Sequence, residues 1–443
     1  MQKLFLPLVL AVSVHVPVFA QASFLNEGRA GLAISSAGPV EPSGSLTLAA
    51  ALALAASANP GLAVAAREIA AMDGAVQQAA TRPNPELSAS LEDTRKETRS
   101  TTLQLNQTIE LGGKRLARMT AADRNRDAAV ADLAIAQAAL RATVMTAFYE
   151  VLTAQERHQL ALASVELAQR ATSVAAKRVV AGKTSPVDET RARVAQASVH
   201  IELSQAASEL STMRQRLAAT WGKTRPRFER VDGALAVLPP LPSLDSLLQR
   251  LQQSPAFARS RLEVQRRQAL AQVERTRQVP DLTVSIGAKR DEQLGRNQAI
   301  LGVSIPLALF DRNQGNLLES LRRTDKARDA LTASDIQGAS ELAQAHEQLA
   351  TAIEQAQLLQ QQIVPGAQSA YDAASTGFAF GKFSFLDVLD AQRTLLQAKS
   401  QTLQTLASAH RAAADIERLV GGDIGAVSVV SAVSLNSQSQ ESP

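Results

Sequence analysis

Cysteine is missing altogether from the 443 residues. That excludes disulfides, thiolate metal sites, a cysteine nucleophile and a lipid attached to cysteine behind an export signal. Aromatic side chains are scarce as well: Trp221 is the one tryptophan, and Tyr149 and Tyr371 are the only tyrosines. The formal net charge is +4, with Asp and Glu interleaved among Lys and Arg and no basic cluster alternating with aromatics, so nucleic acid is not an expected partner. Beyond the N-terminus no segment reaches the roughly 18 uninterrupted apolar residues that a spanning helix needs. Alanine, leucine, glutamine and arginine dominate instead, the composition of long helices.

The first residues read as an export signal. Lys3 supplies the positive start, Leu4 to Phe19 is mostly apolar, and Ala20-Gln21-Ala22 offers a small-x-small cleavage site, giving a signal peptide over 1–22. His15 and Pro17 break the run, which argues against a membrane anchor. The mature protein is then secreted, periplasmic or inserted in a membrane as strands. An irregular leader is expected over 23–45, and a polar, flexible tail over 423–443.

Gly182-Lys183-Thr184 spells the end of a phosphate-binding loop. That motif also needs a glycine five residues upstream, after a strand. Position 177 is Lys177, and the preceding residues carry apolar side chains at helical spacing. A nucleotide site is therefore rejected, and the glycine needs another reason.

Self-similarity supplies one. Asn59-Pro60 recurs as Ser254-Pro255 and PELSASL from Pro85 as PDLTVSI from Pro280, each 195 positions on. Gly182 to Asp188 (GKTSPVD) recurs as Gly381 to Asp387 (GKFSFLD) at a shift of 199, and Trp221-Gly222 as Val420-Gly421. The chain is a tandem duplication, with a first repeat over 46–222, a Pro-rich link over 223–246 and a second repeat over 247–422.

Each repeat has the same order of elements. A first helix containing the proline leads to two alternating strands, Leu87, Ala89, Leu91 with Leu103, Leu105, Ile109, Leu111, and Leu282, Val284, Ile286 with Leu301, Val303, Ile305, Leu307, Leu309. Long helical stretches follow, from about Arg115 to Val180 and from about Gly315 to Phe380, each of roughly 100 Å. Gly182 and Gly381 terminate one helix of a hairpin, and Ser185 and Ser384 cap the next. Two readings stay open: the corners are turn chemistry alone, or they are exposed tips that dock a partner. Four strands cannot close a barrel, and an open sheet edge in lipid is costly. If the strands span a membrane, several protomers share one barrel, and three copies give twelve strands. The alternative is a soluble protein whose strands form small side sheets.

With these corners, FGKFSFLDVLDAQ (Phe380 to Gln392) and PLALFDRNQG (Pro306 to Gly315), the sequence resembles the TolC-type outer-membrane efflux factors from about Leu48 to Gly422. RPNPELS (Arg82 to Ser88) and QTIELGGKR (Gln107 to Arg115) resemble the CzcC-like heavy-metal branch. The resemblance implies a mainly α fold of tandem long helical hairpins, forming a periplasmic α-barrel. It implies four strands per protomer in a trimeric twelve-stranded outer-membrane barrel. It implies a passive duct for heavy-metal cations of the cobalt, zinc, cadmium or copper and silver kind, with no cofactor. A periplasmic adaptor and an inner-membrane pump of the resistance-nodulation-division type are the implied partners. The adaptor would dock on the hairpin tips, Gly182, Lys183, Thr184, Ser185, Val187 and Asp188 in one repeat and Gly381, Lys382, Phe383, Ser384 and Leu386 in the other. Asp387 and Asp390 would form an acidic ring at the periplasmic gate; the alternative role of Asp387 is a charge at a helix N-terminus.

The sequence departs from that pattern where drug-exporting relatives place a tyrosine and an arginine at the entrance, for here Phe378 and Phe383 stand. Asp188 then lacks those polar partners, and Phe378, Phe380, Phe383 and Phe385 form a cluster that packs the tip or contacts the adaptor. His158, His200, His346 and His410 are scattered without ligand spacing, and the methionines are dispersed. No nucleophile, base and acid recur at a recognisable spacing, so an enzyme is not expected. A duct for drugs or other small molecules, or a periplasmic coiled-coil scaffold, are the remaining alternatives.

Overall fold

The computed structural model describes residues 40–424. The expected signal peptide, most of the leader and the tail beyond Ile424 lie outside the described residues. Ser45, expected to close an irregular leader, instead opens β1 (Ser45–Thr47), which leads into α1 (Leu48–Ala58) and α2 (Pro60–Ala79). The first helix is thus two, because Pro60 has no N–H to continue α1 and Asn59 caps a new start by accepting from the Leu62 N–H at 2.9 Å. The hairpin β2 (Glu86–Glu92) and β3 (Ser100–Ile109) follows, then α3 (Lys114–Val180), a single helix of 67 residues, and its return partner α4 (Pro186–Ala219). By composition, α3 contains one stretch long and apolar enough to cross a membrane, although polar and charged residues such as Asp132, Arg141 and Glu150 interrupt the helix. Among the described residues it is the one single helix of that kind, α1 and α2 passing only when taken together as a bent pair, and part of α3 packs around Val144, Phe148 and Val151 in the core shared with Leu54, Leu217 and Trp221.

The link holds a short β4 (Arg230–Asp232) paired in parallel with β1. The second repeat then gives α5 (Leu244–Leu251), α6 (Pro255–Thr276), β5 (Leu282–Asp291), β6 (Arg296–Ser304), α7 (Gln314–Leu358), α8 (Val364–Ala379) and α9 (Phe385–Val420). The long second helix, expected to be continuous to Phe380, is interrupted by a π-turn over Leu359–Ile363. Pro365 is the physical reason, since its ring and missing N–H displace the hydrogen bonds of the preceding turn. Glu166, the matching residue of the first repeat, leaves α3 unbroken.

The two shorter helices of each repeat are laid end to end beside the long one. The Asn59 side chain donates to the Thr220 carbonyl at 2.7 Å, joining the start of α2 to the end of α4. Gly421, closing α9, lies against the ring of Pro255 at the start of α6, where a Cβ would stand 2.4 Å from Cδ. Four helical columns therefore leave the sheet: α3, α7, α4 with α2, and α9 with α6.

The Pro-rich link is fastened across these columns by three side chains. Gln155 of α3 makes both hydrogen bonds to the Val231 backbone, at 3.1 and 2.7 Å. His410 of α9 meets the Leu235 carbonyl at 3.2 Å and His346 of α7 the Pro242 carbonyl at 3.1 Å. The tail expected to start at residue 423 is also partly packed, for Ile424 is buried beside Leu247 and Leu251.

His410 is buried and stacked on Tyr149 at 3.7 Å between ring centres. Burial lowers its pKa, outweighing the Leu235 carbonyl that raises it. The unfolded chain then takes up this proton first as pH falls, so stability present above about pH 6.5 is lost as pH falls toward the folded-state pKa. Glu417, buried against Arg141 at 2.9 Å, has its pKa raised by burial and so contributes with the opposite sign. The thermal midpoint of detergent-extracted protein is expected to fall more steeply below pH 6.5 in the wild type than in His410→Gln, which keeps a donor for Leu235. Superimposable pH profiles would contradict this.

Candidate functional site: an amphipathic sheet and two hairpin tips

The strands form one antiparallel sheet in the order β2-β3-β5-β6, with β3 and β5 joining the two repeats. The register aligns Leu87, Leu105, Ile286 and Leu301 in a row across all four strands, and Ala89, Leu103, Ala288 and Ala299 in the next. The opposite face carries the rows Glu86, Asn106, Ser285, Gly302 and Ser90, Thr102, Lys289, Gln298. Period-two alternation thus holds in register, and the sheet has one apolar and one polar side.

Polar groups on that second side bond to one another. Ser285 Oγ donates to Asn106 Oδ1 at 2.8 Å, and Lys289 Nζ meets Glu92 Oε2 at 3.2 Å. The apolar row is uncovered in the protomer: Leu301 is 80% exposed, and Leu87, Leu105 and Ile286 are exposed too. The outer strands β2 and β6 each leave one edge without a strand partner among the described residues. Ten residues of β3 make about 33 Å of strand, within the length that crosses a bilayer when tilted.

At the far end of the helices the two corners have the same backbone. After α3 the Gly182 N–H bonds the Val179 carbonyl and the Lys183 N–H the Arg178 carbonyl, both at 2.9 Å. After α8, Gly381 and Lys382 bond Phe378 and Gly377 at 3.0 and 2.8 Å. These paired bonds require a left-handed residue at the corner, and φ is +67° at Gly182 and +75° at Gly381. The GK pair is thus a helix terminus used twice. Ser185 then caps α4 through the Val187 N–H at 3.3 Å. Ser384 caps α9 more fully: its Oγ accepts from the Asp387 N–H at 3.2 Å, while its own N–H donates to Asp387 Oδ2 at 2.8 Å.

Asp387 therefore acts as a helix-start charge. The Ser384 side chain and then its backbone N–H hold the Asp387 carboxyl below the usual range, so it stays ionised well under neutral pH. One turn on, Asp390 is exposed on the same face. In the first repeat the matching pair is Asp188 and Arg191, which form an ion pair at 3.8 Å. The second repeat has exchanged that arginine for a second carboxylate. Among the described residues neither Asp387 nor Asp390 has a cationic partner. Asp188, which lacks the tyrosine and arginine partners of the drug-exporting pattern, pairs with an arginine of its own helix instead.

The four phenylalanines do not form one cluster. Phe378 and Phe385 are buried, 5.5 Å apart, with Ala175, Ala192 and Val388. Phe380 is 76% exposed, and Phe383 is half exposed with its ring over Gly377, where a Cβ would stand 2.1 Å from Cδ2. The residue that ties the tips together is Arg178, which the sequence reading missed. Its guanidinium lies over the Phe378 ring at 4.4 Å from the centroid, and Nη1 donates to the Phe378 carbonyl, joining the end of α3 to the end of α8. The one signal for it is asymmetry between the repeats, for the residue matching Arg178 is Gly377. Arg178→Ala is expected to raise trypsin cleavage after Lys382 several-fold with the fold intact. Arg178→Lys, which lacks the planar stack, should restore little of the protection. Unchanged cleavage in both variants would show that Arg178 does not hold the tips.

Comparisons with known proteins bear on this geometry. The family model for outer membrane efflux proteins matches residues 51–223 and 247–422. The chain is 49% identical over 421 residues to the cobalt-zinc-cadmium resistance protein CzcC of Cupriavidus metallidurans, covering 95% of this chain and 100% of that one. Among solved structures, CusC aligns with a TM-score of 0.72 at 18% identity, over 85% of this chain and 92% of that one. VceC from Vibrio cholerae aligns with a TM-score of 0.70 at 20% identity, over 85% and 96%. At such identities these two structures bear on the fold alone.

Proposed function

The chain belongs to the outer membrane efflux protein family, and from that premise we propose that three copies form the exit duct of a tripartite system exporting heavy-metal cations. The carrying observation is the four-stranded sheet, apolar on one face, polar on the other and open at both edges. In a bilayer those edges must be paired. Pairing β6 of one copy with β2 of the next satisfies them, and three copies close twelve strands around a polar lumen with the Leu301 row toward lipid. The four helical columns of each copy then continue as a twelve-helix tunnel into the periplasm.

The tips are the part that meets other proteins and controls passage. Exposed Val187, Phe380, Phe383 and Leu386 offer apolar side chains to the helical ends of a periplasmic adaptor, beside Lys183 and Lys382. Asp387 and Asp390 from three copies surround one axis and raise the local concentration of cations. Transport through this duct is passive, and an inner-membrane pump of the resistance-nodulation-division type supplies the energy. Cobalt, zinc and cadmium are the proposed cargo, on the strength of the 49% identity to CzcC.

Deletion of the gene in its host, with complementation, tests the cargo. Sensitivity to zinc, cobalt or cadmium without sensitivity to dyes or antibiotics is expected. The reverse pattern would transfer the duct to small organic molecules.

A further inference from the structure

The apolar side of the sheet does not stop where β6 stops. Pro306 ends the ladder by lacking an N–H, yet Ile305, Leu307, Leu309 and Phe310 continue in an exposed segment before α7 begins. A tight turn, with the Leu309 N–H bonded to the Leu307 carbonyl at 2.9 Å, precedes Phe310, which is 90% exposed. Behind this segment lies a groove of about 410 Å³, lined among others by Lys114, Arg277, Asp281, Leu307 and Arg312. Lys114 and Arg277 are engaged, with Asp281 at 2.6 Å and Glu274 at 2.8 Å. Arg312 uses its Nε on the Ala308 carbonyl at 3.3 Å and has no carboxylate partner among the described residues. The first repeat has no equivalent, for Gly112 stands where Phe310 does.

An apolar segment continuous with a lipid-facing sheet, ending in an exposed aromatic ring and an arginine with free donors, fits one surface. That surface is the boundary between acyl chains and phosphate headgroups. We propose that Ile305 to Arg312 is a membrane-interface anchor on the periplasmic side of the barrel. Leu307, Leu309 and Phe310 enter the leaflet, and the Arg312 guanidinium holds a lipid phosphate at the groove. The anchor rests on the reading that the sheet spans the membrane, and it fixes the depth at which the helices leave the bilayer.

The absence of cysteine makes single-site labelling clean. Phe310→Cys and Leu301→Cys, each in the full chain, would carry a nitroxide spin label in vesicles of phosphatidylethanolamine and phosphatidylglycerol. Collisions with oxygen and with a water-soluble nickel chelate are then compared. At 301 oxygen should prevail strongly; at 310 it should still prevail several-fold, at a shallower depth. Adding Arg312→Gln should shift the 310 label toward the chelate. A lipid-like 301 with 310 freely reached by the chelate puts the segment in water. A lipid-like 301 with 310 reached by neither collider puts it under a second copy. Either result overturns the anchor while leaving the barrel standing. An unmoved 310 label in the Arg312→Gln variant overturns the phosphate contact. A 301 label open to the chelate overturns the barrel reading and the anchor with it.

Discussion

Replacing Asp387 and Asp390 together with asparagine is expected to remove most of the cation preference of the channel. In planar bilayers under a salt gradient, the cation-to-anion permeability ratio should fall by roughly tenfold, the scale on which charged constrictions concentrate ions. The reasoning starts from the two repeats, which share a corner and differ in charge one turn beyond it. Asp188 is balanced by Arg191, whereas Asp387 and Asp390 lie on one helix face with no cationic partner among the described residues. On the proposed arrangement these exposed carboxylates act on ions in the opening, and three copies multiply the effect. Asp188→Asn should alter selectivity far less, because its charge is already paired. Equal effects from both changes would place the controlling charge elsewhere. The preference should also weaken as salt rises, since exposed charges are screened within about 8–10 Å at physiological ionic strength.

A charge on the apolar face of the sheet is expected to be the most damaging single change. Leu301→Arg puts a guanidinium in the row Leu87, Leu105, Ile286, Leu301, near the middle of the strands. Arginine on a lipid face at the bilayer midplane costs about 2–4 kcal/mol, and a symmetric trimer bears it three times. Insertion should fall to a small fraction of the wild-type level in the outer-membrane fraction. Thr102→Arg, on the polar face of β3 in the register of Lys289, should insert almost normally. Equal tolerance of the two would mean that the faces are not set against lipid and water.

The sheet, the corners and the duplication were legible in the sequence for local reasons. Alternation along Leu103, Leu105 and along Val284, Ile286 needs no partner to be seen, and a glycine that must be left-handed repeats with its lysine and serine at a shift of 199. The features that escaped depend on distance in the fold or on cooperative backbone geometry. His346 and His410 looked scattered because their acceptors, the Pro242 and Leu235 carbonyls, lie 104 and 175 positions away. Arg178 reaches a carbonyl 200 positions on. The break at Leu359–Ile363 was hidden because proline can be carried inside a long helix when the turn before it widens. The phenylalanines near Gly381 look alike in the chain, and packing alone sorts buried Phe378 and Phe385 from exposed Phe380 and Phe383.

The two hairpins also differ in their backbones. The first hairpin has an unbroken 67-residue helix, while the second carries the π-turn, the buried Phe378 and the paired carboxylates. A widened turn followed by Pro365 and Gly366 bends more readily than a regular helix. The break in regular helix geometry thus lies in the second hairpin, and Arg178 joins it to the first at the tips.

On the proposed reading, this chain completes its sheet only with other copies of itself in the outer membrane. The most direct measurement is the mass and membrane fraction of the detergent-extracted mature protein, by light scattering and unheated gel electrophoresis. The expected result is a heat-sensitive trimer recovered from the outer membrane. A monomer recovered without detergent from the soluble fraction would contradict the shared barrel.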